Sequence, residues 1–375
     1  MPLILISTVL TLSALYAPQP LLPVLALEFA VSRETAALLT TIVFVPLSLA
    51  PLLYGYLLEA VPSRRVLQVA MLMLGLSSLA ICLVVDFKAM LALRLLQGLV
   101  IPALLTALMT YTSQNSAEGE VQRAMAWYIG ATIVGGFAGR AMSGIIASLF
   151  DWRISFGLLG FSLLLVWLAL LRLEPQHELQ LVKPRLGLIR EILADRRFLQ
   201  IYLLVFCMFL VFAAIMNFLP FRLSELSTDA DELRIGLAYS GYLMGLIASL
   251  NAVNLQQRFG GPGKIMVMAF FLYGVALLIL GIPSVPVFLG ANFLFCSAMF
   301  LAHASATGLV NRLACHRKGM VNGLYVSFYY GGGAVGSFLP GYAYRDWGWN
   351  GMILCLLAVS LVCFALAGNL SRKLS

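Results

Sequence analysis

Two arginines and one histidine lie inside long apolar stretches of this chain, and they are the side chains best placed to do chemistry. Arg94, Arg140 and His303 each interrupt a run of aliphatic and aromatic residues. A charge at the centre of a bilayer costs roughly 2.5 kcal/mol or more, so such an arginine faces a partner or a watery cavity unless it snorkels to a nearby surface. Guanidinium groups suit a carboxylate, phosphate or sulfonate. The amides Gln19, Gln97, Asn217, Asn251, Asn254 and Asn292 and the phenol Tyr329 fall in or beside similar runs and are candidate hydrogen-bonding partners for a ligand. An unperturbed imidazole titrates near about 6.5, so His303 is a candidate proton carrier, or else a hydrogen-bonded packing residue. Glu28 is the alternative carrier if it reaches Arg94. All sixteen carboxylates are expected in loops or at helix rims, with none at mid-span.

The elements that must position these residues follow from composition. With 61% hydrophobic and 11% charged residues, against about 25% charged in soluble domains, the chain reads as an all-α polytopic membrane protein. Spans of about 20 apolar residues are needed to cross as helix, and unpaired backbone is excluded from lipid. Twelve are expected, at about 3–28, 36–58, 66–85, 89–111, 124–149, 152–171, 198–220, 233–255, 265–282, 286–311, 319–343 and 349–369. Residues 1–171 form one six-helix bundle, 172–197 a polar cytoplasmic linker, and 198–375 a second bundle. The first run has no basic lead or cleavage site, so it is expected to stay. Six cysteines, five of them in spans, imply no disulfide framework.

The net charge of +8 is an orientation signal rather than a nucleic-acid footprint. Sixteen of the basic residues fall in segments on one side and six on the other, with Arg94 and Arg140 inside spans. The richer side is cytoplasmic, and both termini lie there. No nucleotide-binding loop, paired catalytic acids or metal-spaced His/Cys set appears, so neither an enzyme nor a cofactor is expected.

The two bundles are copies. Gly135, Gly136, Gly139 and Gly144 recur 197 positions later as Gly332, Gly333, Gly336 and Gly341, as do Pro23 at Pro220 and Glu28 at Glu225. Asp151-Trp152 is matched with Asp346-Trp347, at an offset of 195. Glycines one turn apart let another backbone approach closely. Tyr16-Ala17-Pro18-Gln19-Pro20 predicts a bent first helix with Gln19 near mid-depth.

Several of these stretches resemble motifs of the major facilitator superfamily. Gly55, Leu57, Glu59, Arg64 and Arg65 match its loop between the second and third helices, with Glu59, Ala60 and Pro62 replacing the usual Asp, Arg and Gly. Arg94-Leu95-Leu96-Gln97-Gly98 matches its fourth-helix motif. The Gly135–Gly144 stretch matches the fifth, with Phe137 where the antiporter form has proline. Together with Asp151-Trp152-Arg153, Ala302-His303, Arg317-Lys318-Gly319, Leu324-Tyr325, Phe328-Tyr329-Tyr330 and Gly348-Trp349-Asn350-Gly351, the chain is similar to the acriflavine-sensitivity (YnfM-like) branch of bacterial efflux permeases.

That resemblance implies two pseudo-symmetric six-helix bundles that bind a ligand near the midplane and rock for alternating access. It also implies a cytoplasmic latch of Glu59, Arg64 and Arg65, and a half–half interface formed by Gly135, Gly139, Gly144, Gly332, Gly336 and Gly341. The leading expectation is a monomeric secondary carrier of the bacterial inner membrane, an antiporter exporting a small organic compound with protons as coupling ion. Uptake or exchange of an organic anion is the alternative, and a non-transporting membrane sensor is the alternative of another class.

Overall fold

The computed structural model describes residues 1–114, 121–173, 186–314 and 318–374, and the side chains of all of these except 50, 52–60, 114, 121–122, 126, 186, 318–319 and 374. Only helices occur among the described residues. Ten stretches are long and apolar enough to cross a membrane, and α3 (Arg33–Ala60) and α15 (Lys318–Phe338) occupy the remaining two places of the twelve-helix repeat.

The first crossing is broken where its prolines fall. α1 (Pro2–Tyr16) gives way to a single 3-10 turn, Gln19–Leu21, and then α2 (Leu22–Glu28). Pro18 and Pro20 have no N–H, so Ala14 and Tyr16 lose the donors that a continuous helix would supply. The copy of this stretch, Ala213-Ala214-Ile215-Met216-Asn217, has no proline. Its helix, α9 (Arg196–Leu226), runs through unbroken.

The remaining crossings of the first copy are α3, α4 (Ser63–Ile81), α5 (Phe87–Gln114), α6 (Val121–Leu149) and α7 (Trp152–Leu170). Those of the second copy are α9, the stretch Glu232–Leu250 that ends in α11 (Gly241–Leu250), α13 (Pro262–Leu280), α14 (Val285–Leu313), α15 and α16 (Pro340–Leu374). Helix pairings repeat between copies: α1 packs on α6 as α9 does on α15, and α4 packs on α5 and α7 as α13 does on α14 and α16.

The glycines explain the first of these pairings, and here the structure corrects the sequence reading. A methyl at Gly135 would meet the Val9 carbonyl oxygen at 2.5 Å, and one at Gly139 would collide with the Ser13 backbone. In the second copy Gly332 abuts Phe206 and Gly336 abuts Leu210. Phe206 and Leu210 lie 197 positions after Val9 and Ser13. Gly135, Gly139, Gly332 and Gly336 therefore close the fifth helix of each copy onto its own first helix rather than forming an interface between the bundles. Spacing reveals that a backbone comes close; it does not say which backbone. Gly144 instead meets the Glu232 carbonyl and Gly236, and Gly341 is buried.

The tryptophan register changes too. Trp152 is buried and donates to Glu28, while Trp347 is 70% exposed. Trp349, buried and donating to the Leu280 carbonyl at 2.8 Å, takes the equivalent place. It lies 197 positions after Trp152, so the copy keeps one offset throughout. Asp151 starts α7 by accepting from the Arg153 amide at 2.7 Å. Gly348 occupies the corresponding corner at φ 70, a left-handed backbone that disfavours residues with a Cβ.

The chain separates into two compact units, 1–184 with 230–239, and 185–229 with 240–375. The short α10 (Glu232–Ala238) packs on α6 within the first unit. Of the expected linker, residues 174–185 lie outside the described residues. α8 (Leu186–Ala194) packs on α9 and α15 with Ile192 buried. Asp195 then caps α9, and a hydrogen bond from Arg197 at 3.0 Å holds its carboxyl below the usual aspartate range.

Candidate functional site

In the first unit, two arginines grip the broken helix from different neighbours. Arg94, on α5, donates from Nη1 to the Ala14 carbonyl at 2.9 Å, from Nη2 to Leu15 at 2.8 Å and from Nε to Leu39 of α3 at 2.9 Å. The Ala14 carbonyl is the one orphaned by Pro18. Nη1 also donates to Gln97 Oε1 at 2.7 Å, and Gln97 Nε2 donates to Ser78 Oγ at 3.1 Å. Arg94 is fully buried. Its charge meets backbone dipoles, and its position is that of a structural clamp on the bend.

Arg140, on α6, is held differently. Its guanidinium carbon lies 3.9 Å from the Tyr16 ring centroid and 4.9 Å from that of Tyr239, the residue that ends α10. Nε donates to Gln19 Oε1 at 2.6 Å and Nη1 to the Gly136 carbonyl at 2.5 Å. Beside it, Ser143 Oγ donates to the Ala17 carbonyl at 2.8 Å. A planar cation between two phenol rings, with an amide at its edge, can bind an acidic group in the guanidinium plane and a flat ring alongside. Of the two arginines and six amides proposed from the sequence as ligand contacts, the structure brings Arg94, Arg140, Gln19 and Gln97 to the same bend. Tyr16 and Tyr239 were missed. The first hid in a proline cluster, and the second lies 99 positions from Arg140, with no local signal.

The second unit carries a separate polar cluster. His303 Nδ1 lies 3.0 Å from Tyr325 Oη, and the ring stands 4.9 Å from that of Tyr329, which stacks on Phe209 at 3.7 Å. Asn217 donates to the Ser337 carbonyl at 2.8 Å, and Ser337 is the copy of Arg140. Asn292 is buried beside Cys296. Asn251 and Asn254 are exposed, and Asn251 donates back to its own helix at Ile247. The structure does not bring these two to either cluster.

Two further expectations resolve in the rim. Glu28 does not reach Arg94: it pairs with Arg153 at 2.6 Å and accepts from Trp152. Glu34 lies at a helix rim as expected, in the first turn of α3, but is buried there at 4% exposure, with no hydrogen-bond partner for Oε1 among the described residues. In the expected latch, the Glu59 side chain lies outside the described residues. Arg64 donates to the Leu171 carbonyl at 3.2 Å, and Arg65 is exposed.

Apolar helices built twice, with a buried polar cluster at the broken helix of the first unit and a separate one in the second, have the architecture of a membrane transporter. The chain belongs to the Major Facilitator Superfamily, whose model matches residues 4–254 and again 201–372. It is 27% identical to the uncharacterized MFS-type transporter YybF of Bacillus subtilis, over 97% of this chain and 91% of that one. It is also 27% identical to the inner membrane transport protein YnfM of Escherichia coli, over 97% and 88%. Its fold is shared with a bacterial homologue of the human lysosomal transporter Spinster, at a TM-score of 0.80 and 13% identity over 99% of this chain and 96% of that one. The nucleoside transporter NupG shares it too, at 0.75 and 12% over 99% and 98%.

Proposed function

We propose that this transporter is a secondary active carrier that exports a small organic compound bearing an acidic group across the bacterial cytoplasmic membrane, with both termini inside. The observation that carries the reading is Arg140, buried at the break of the first helix between Tyr16 and Tyr239 with Gln19 at its edge. A guanidinium presents a planar fork of donors that matches a carboxylate or phosphate, so the site suits an anionic ligand. Efflux rests on the sequence resemblance to efflux permeases, the inner membrane on the kinship to YnfM, and orientation on the bias of basic residues. His303 is the proton carrier in this reading.

A thermal-shift screen of the purified protein against organic anions, cations and sugars at two pH values tests the ligand class. Anions are expected to stabilise the wild type and to lose that effect in Arg140→Gln and Tyr239→Leu. Stabilisation by cations or sugars alone overturns the acidic-ligand reading. Hits then go to counterflow in proteoliposomes, where binding without exchange identifies a sensor instead of a carrier.

A further inference from the structure

The face between α14 and α15 carries a row of polar groups, linked side chain to side chain from His303 to Thr307 and through the Thr307 backbone carbonyl to Asn311. It starts at His303, whose Nδ1 meets Tyr325 Oη at 3.0 Å. Thr307 Oγ1 lies 3.0 Å from the same phenol oxygen and 2.8 Å from the His303 carbonyl. One turn further, Asn311 Nδ2 donates to the Thr307 carbonyl at 3.0 Å, and Asn322 Nδ2 donates to Asn311 Oδ1 at 2.9 Å. Residues 303, 307 and 311 share one face at successive turns, so the ladder covers about 12 Å of helix and ends near Arg312. Packing alone needs none of these groups. Each could be apolar at less risk, since buried polar networks are tolerated only when every member is satisfied.

We propose that His303, Tyr325 and Thr307 form a proton relay to the helix end bearing Arg312, with Asn311 and Asn322 as its hydrated mouth. The inference rests on the carrier reading above and supplies its coupling route. Tyr325 Oη passes its proton to His303 Nδ1 and takes one from Thr307 Oγ1, which is refilled by a hydronium ion at the asparagine end, leaving water. One proton thus moves from the Arg312 end to His303, both hydroxyls end neutral, and the imidazolium returns it by the reverse of these steps or releases one from the other ring nitrogen. Tyr325 and Tyr329 of α15 are the titratable groups that face His303. From α9 the facing ring is Phe209, by way of Tyr329. Tyr242 of α11 and Tyr273 of α13 meet Phe300 and Phe295 toward the other end of α14. From α12 (Ala252–Phe259), Gln256 bonds Ser305 and Arg312.

The test uses the full chain in lipid nanodiscs and the proton as its own probe: stopped-flow proton uptake, followed with a pH indicator after a jump from alkaline to acid. The wild type should show a phase that His303→Gln lacks. Tyr325→Phe and Thr307→Val should keep its amplitude but slow it about a hundredfold or more, in the range that a positioned proton-transfer group supplies. Thr307→Ser, which retains the hydroxyl, should restore the rate and exclude a folding defect. A phase that survives in His303→Gln, or unchanged rates in both hydroxyl variants, overturns the relay. Because no substrate is used, that result leaves the carrier reading to be judged by counterflow.

Discussion

Arg94→Gln should destabilise the protein through the helix break rather than through ligand binding. The substitution removes the donors serving the carbonyls of Ala14, Leu15 and Leu39. A buried carbonyl left without a partner costs about 1–3 kcal/mol. Leu39 lies inside α3 and keeps its helical partner, so the loss falls on Ala14 and Leu15, about 2–6 kcal/mol; relieved desolvation of the buried cation offsets part of it, and a net loss of about 3 kcal/mol is expected. For 375 residues, an unfolding entropy of about 2 cal/mol/K per residue turns this into a fall of roughly 4 °C in Tm. Arg94→Lys should recover only part of it, because an ammonium lacks the planar fork that reaches α1 and α3 together. The assay is thermal unfolding of the purified protein without ligand, with Arg140→Gln alongside. A Tm for Arg94→Gln within about 1 °C of the wild type refutes the clamp and returns Arg94 to the ligand.

The close approach of the first and fifth helices predicts that Gly139→Ala and Gly336→Ala each lose about 1–3 kcal/mol in thermal unfolding. Gly290→Ala, where an added methyl meets nothing within 4 Å, should lose none; equal behaviour of all three refutes the contact. Trp349→Phe should lose about 1 kcal/mol with its bond to Leu280, and Trp347→Phe should be neutral, while the reverse order restores the 195 offset. Arg197 depresses the carboxyl of Asp195 in the folded chain, so this pair stabilises above the unfolded-state pKa and stops doing so as pH falls through the folded value. Asp195→Asn should therefore lower Tm slightly near neutrality, within the ~1 kcal/mol of a surface pair, and match the wild type in strong acid. A deficit that persists in acid contradicts the assignment.

The polar clusters differ in how far they could be read before folding. Arg94 and Arg140 stand out because lipid makes a buried charge conspicuous at any position. The donors and rings they meet are invisible in the same way that any long-range contact is. Tyr239 is an ordinary tyrosine among apolar residues until α10 packs on α6. Glu34 is the rim acid that the sequence indicates, but its position near a helix start says nothing about what covers it. Asn251 and Asn254 carry the right chemistry but are exposed, and Asn251 bonds back to its own helix.

Composition, apolar run length and the 197-residue echo were enough to establish a duplicated all-helical membrane protein and the places of its crossings, because hydration energy acts on each stretch of chain independently. Which surface each helix turns to its neighbours depends on contacts between distant residues. Only packing could reveal that the glycines close onto Val9, Ser13, Phe206 and Leu210, and that Arg94 replaces the hydrogen bond Pro18 cannot make. It also joined His303, Thr307 and Tyr325 into one chain of hydrogen bonds. A spacing of residues tells what a helix can offer, but the partner that accepts the offer is chosen in three dimensions.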